Sequence, residues 1–114
     1  VRGGPISGII VPPMNPRIAA DYHEVADWLQ NFVRSHAKRE DERVEARLDT
    51  GEGREGRSFG VHLVLGAPPR ESAPIELDFR ETADGRTRFA WCLALAERVR
   101  AAARELAGTA RSAG

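Results

Sequence analysis

Between positions 42 and 81, apolar and polar residues alternate in three successive runs: Val44, Ala46, Leu48; then Phe59, Val61, Leu63, Leu65; then Ile75, Leu77, Phe79. A period of two belongs to a strand with one buried face, so the pattern predicts strands over 42–49, Ser58–Leu65 and 75–81. The connections, 50–57 and 66–74, are short and rich in glycine or proline, which makes an antiparallel meander the economical topology. On either side the period becomes helical. Asn15-Pro16 reads as an N-cap followed by proline at the first helical position, and Ile18, Tyr22, Val25, Leu29, Phe32, Val33 and His36 stripe a helix running to about Lys38. Asp84 is the expected N-cap of a second helix over 86–107, striped by Phe89, Cys92, Leu93, Ala96, Val99, Ala103 and Leu106 and stopped by Gly108. The expected fold is therefore α+β: a two-layer α-β-β-β-α domain, with both helices on one face of a three-stranded antiparallel sheet. Each large side chain buried in that layer is worth roughly 1.5–3 kcal/mol, which places Leu63, on the central strand, among the least replaceable residues.

The periodic region defines one domain over 14–108. Residues 1–13, with three glycines and three prolines around Ile6, Ile9, Ile10 and Val11, read as an extension preceding Met14 or an arm over the domain. The small-residue segment 109–114 is expected to be a disordered tail.

Composition removes whole classes of function. Seventeen basic residues balance seventeen acidic ones, so no net field points to nucleic acid or an anionic membrane, and binding must be local. Cys92 is the only cysteine, which excludes an internal disulfide and a Cys-rich zinc site and fits a reducing, cytoplasmic setting. Arginine and alanine far outnumber lysine and isoleucine, the usage of a GC-rich bacterial gene.

Several strings invite a chemical role. Gly51-Glu52-Gly53-Arg54-Glu55-Gly56 matches G-x-G-x-x-G, but it opens a strand where a dinucleotide site needs a helix N-terminus, and its two glutamates would repel phosphate, so it reads as a hairpin loop. If Leu48 pairs with Phe59 and Leu65 with Ile75, the outward-facing His62 falls between Glu45 and Asp78, a candidate acid–base or binding cluster on an open, solvated face. His23 and Asp27, four apart on the first helix, supply two ligands where a metal site needs more. Cys92 reads as a small buried hydrophobe, and neither a metal nor another cofactor is expected.

Trp91 and Leu95 widen the apolar arc of the second helix to about half its circumference, more than three strands can cover. Either the first helix, with Trp28, flanks them or a partner does. The third strand is an apolar edge through Ile75, Leu77 and Phe79, guarded by charge on its outer face alone, and with Trp91 and Leu95 it forms the expected interface of a homodimer. In fold order the chain, over roughly 15–108, resembles a double-stranded RNA-binding domain. Gly85-Arg86-Thr87-Arg88 stands at that family's lysine-rich helix start with two basic residues, and 50–57 lacks its Gly-Pro-x-His loop. The resemblance implies nucleic-acid binding through Arg86 and Arg88. The expectation that follows from the residues is a non-enzymatic interaction or assembly module that pairs as a homodimer, with nucleic-acid binding as the alternative.

Overall fold

The computed structural model describes residues 16–51 and 53–113. Its elements run α1 (Pro16–Glu40), β1 (Glu45–Asp49), β2 (Ser58–Leu65), β3 (Arg70–Glu71), β4 (Ile75–Asp78), α2 (Phe79–Gly85) and α3 (Phe89–Ala113). The fold is α+β, with a wholly antiparallel sheet centred on β2. The expected residues 1–13 and the Asn15 cap lie outside the described residues.

β2 lies at the centre of the core, with its in-facing side chains, Phe59, Val61, Leu63 and Leu65, all buried. β1 pairs with it on one side, Leu48 opposite Val61 rather than the expected Phe59. On the other side the chain pairs twice: β3 with Val64 and Leu65, β4 with residues from Ser58 to Val61. Between these stretches the register steps by one residue. Ser72 resolves the resulting bulge, its N–H donating to the Leu63 carbonyl (2.9 Å) and its Oγ accepting the Leu63 N–H (2.9 Å). The third expected strand is thus two short strands laid end to end. Ile75 consequently faces Val61 where the sequence pattern suggested Leu65.

Strand β4 also stops earlier than its alternation suggested. Asp78 turns the chain into α2 as its N-cap, accepting the Glu81 N–H at 3.0 Å, and Thr82 Oγ1 donates to the Asp78 carbonyl at 2.8 Å. Asp84, expected to cap the last helix, sits inside α2 instead. Phe79, the last apolar position of the alternation, stays buried as the first residue of α2.

Both long helices cover one face of the sheet. From α1 come Tyr22, Val25, Leu29, Val33 and Ala37; from α3 come Leu95, Val99, Ala103 and Leu106. Tyr22 stacks on Phe59 (4.6 Å, 10°), meets Phe79 edge-on (5.3 Å) and donates its hydroxyl to the Ser58 carbonyl (2.6 Å), tying helix, sheet and α2 together. The helices run parallel: Glu24 meets Arg86, Trp28 lies beside Trp91, and Glu40 binds Arg100 and Arg104. Where a stop was expected at Gly108, α3 continues to Ala113. One glycine costs a helix about 1 kcal/mol, and the alanines before it favour propagation.

Candidate interaction surface

The register of the sheet disperses the outer-face cluster expected around His62. Arg47 lies opposite His62, Glu45 lies opposite Val64, and Asp78 lies opposite Ser58, where it caps α2. The carboxylate nearest His62 is that of Glu71, with His62 Nε2 at 3.3 Å from its Oε1. Among the described residues no group of three histidine, cysteine or acidic side chains is placed to hold a metal ion, and His23 reaches across to Glu55 (3.1 Å).

The glycine loop holds a side chain that the sequence pattern did not single out. Gly53 and Gly56 have φ of 89° and 77°, the left-handed region that suits glycine, and their turns fold Arg54 back over the outer sheet face. There it forms a bidentate pair with Glu76 of β4 (2.7 and 2.9 Å) and donates to Asp49 of β1 (3.1 Å) and to Ser58 Oγ of β2 (3.1 Å). One guanidinium thereby stitches three strands. It rests on Gly60, where an added Cβ would lie 2.7 Å from Arg54 Nη2. The hydrogen bond from Arg54 holds the Glu76 carboxyl below its ordinary range; for Asp49 the Gly51 N–H contributes most and Arg54 next.

The five residues expected to face a partner are largely spent inside the domain. Ile75, Leu77, Phe79 and Leu95 are buried, and Trp91 is half-buried against Gly85, whose missing Cβ makes room for the indole, with Trp28 6.4 Å away. The apolar surface left over is elsewhere. Phe89 and Leu93, assigned by periodicity to the core stripe, are 81% and 51% exposed. Ala90 and Ala94 are exposed beside them, and the next charge along α3 on this face is Glu97. Packing decides which edge of the wide stripe is dry: Trp91 against Gly85, and Arg100 and Arg104 on Glu40 (2.7 and 3.2 Å), set the rotation of α3 and turn Phe89 and Leu93 outward. Cys92, expected to be buried, is half-buried, with its thiol 3.5 Å from the Arg86 carbonyl and 3.6 Å from that of Gly85.

The seam between α1 and α3 carries an aromatic ladder of half-buried rings. Trp28 stacks on Phe32 (4.9 Å), and Phe32 leans on His36 (4.5 Å). The arginines of the nucleic-acid alternative are each engaged by an acid: Arg86 by Glu24 and Arg88 by Asp84, both at 3.4 Å. Compared with family models, curated proteins and solved structures, the chain shows no significant match to any of them. Among the described residues no helix is long and apolar enough to cross a membrane.

Proposed function

We propose that this domain is a non-enzymatic protein-interaction module that docks through the outer face of α3. The observation that carries this reading is the exposure of Phe89 and Leu93, one turn apart on a helix whose other large apolar residues are buried in its own domain or, for Trp91, half-buried there. A phenylalanine left in water forgoes roughly 1.5–3 kcal/mol of burial, a free energy available to a partner that covers it. Nucleic-acid binding through Arg86 and Arg88 has less support, since both sit in ion pairs with acidic neighbours and the chain has no net charge.

A surface kept apolar for docking contributes nothing to the isolated fold. The double variant Phe89→Asp with Leu93→Asp is therefore expected to unfold within about 0.5 kcal/mol of the parent in urea at low micromolar concentration. A loss above about 2 kcal/mol would make the two residues part of the fold and overturn the reading.

A further inference from the structure

We infer that the partner is a second copy of this chain, docked antiparallel along α3 about a two-fold axis beside Ala101; the inference rests on the interaction reading above. An isologous interface brings a surface against itself in reverse order, so its residues must complement one another when read from the two ends. The outer face of α3 has that property. Leu93, Glu97, Ala101, Arg104 and Gly108 recur every three or four residues on one side of the helix, and the first four are exposed. Folded back about Ala101, the series sets Glu97 against Arg104 of the partner subunit and, by symmetry, Arg104 against the partner's Glu97. It also sets Leu93 over the partner's Gly108, where an added Cβ would meet nothing within 4 Å. Acid faces base twice and the large residue faces the small one twice. Ala101 at the axis lets the helices approach closely.

Neighbouring geometry supports the same pairing. Arg104 gives only Nη1 to Glu40, at 3.2 Å, and its side chain is half exposed, so the rest of its planar fork can reach across the axis. Glu97 influences Arg100 of its own helix and, among the described residues, forms no ion pair within 4 Å. Phe89 lies one turn beyond Leu93 and extends the contact toward the last turn of the partner's α3.

Analytical ultracentrifugation of the full chain between about 1 and 500 μM in 0.1 M salt tests the inference. The mass is expected to climb from that of one chain toward that of two. Glu97→Arg should weaken the association at least tenfold, and adding Arg104→Glu to it should restore most of the loss. Because Arg104→Glu also removes a contact to Glu40, circular dichroism monitors folding, and a second measurement avoids that substitution: a mixture of Leu93→Cys and Gly108→Cys chains, each carrying Cys92→Ala, should oxidise preferentially to the mixed dimer. A monomeric mass throughout, an association indifferent to Glu97→Arg, or a statistical mixture of crosslinks would each overturn the two-fold pairing. If the mass stays monomeric while the Phe89→Asp, Leu93→Asp variant is fully stable, only the second copy is excluded as partner. A costly double variant removes both readings.

Discussion

Arg54 shows how one side chain can organise a face that hydrophobic patterning leaves blank. It lies in a loop of glycines and charges, and nothing in the alternation around it marks it as structural. Its position depends on two glycines with positive φ and on a third, Gly60, that offers no Cβ beneath the guanidinium. Gly60→Ala should push the guanidinium away from Glu76 and Asp49 and lower the urea midpoint. The same substitution made on top of Arg54→Ala should change it little, because the displaced group is already gone. Additive effects of the two substitutions would show that Gly60 is required for some other reason. Phe89 and Leu93 teach the converse lesson: residue type and periodicity place them in a core from which they are excluded.

At the scale of elements, the decisive event is the end of β4. Ile75, Leu77 and Phe79 continue a perfect alternation, yet the chain leaves the sheet after Asp78 because that carboxylate can cap a helix, and a Phe79 at the helix start remains buried. The alternation of ladder hydrogen bonds, with the Phe79 N–H donating to the Arg57 carbonyl at 2.8 Å, leaves Glu76 as the one mid-strand residue whose backbone faces the open edge. An edge that short, bounded by Pro74 and α2, is a poor template for another strand, which favours the proposed docking through α3 over pairing along β4. The opposite edge is covered by α1, from which Gln30 donates to the Ala46 carbonyl at 3.0 Å. If the cap ends the strand, Asp78→Ala should cost about 1 kcal/mol, whereas Asp78→Asn should cost distinctly less. Equal losses in chemical denaturation would show that capping is not what Asp78 supplies.

For the whole molecule, the α1–α3 seam ties stability to pH. His36 sits on that seam with its Nδ1 buried and, among the described residues, without a hydrogen-bond partner. Burial first, and then the charges of Arg39 and Arg100, lower its pKa below the ordinary 6.5. The folded protein therefore resists protonation at His36 while the unfolded chain accepts it, so stability falls as pH drops below about 6.5 until the lowered folded value is passed. His36→Phe should flatten the stability profile between pH 7 and 5, and an unchanged slope in urea titrations across that range would refute the assignment. A separate loss at lower pH should survive the substitution. It comes from Glu40, held down chiefly by its hydrogen bond from Arg100, and from Glu76 and Asp49, whose contributions exist above about pH 4 and vanish as those carboxylates protonate. The α+β class, the helix-strand-helix order and most of the buried set were legible in the sequence, because a period of two or of 3.6 is a local property that any later packing must respect. Register, the Ser72 bulge, the clasp of Arg54, the cap at Asp78 and the rotation of α3 were not. The cap at Asp78 is a local contact, three residues long, that the unbroken alternation masked; the others are settled by contacts between separate elements, such as Arg54 with Glu76 or Arg100 with Glu40, and those contacts exist only after the layers have packed.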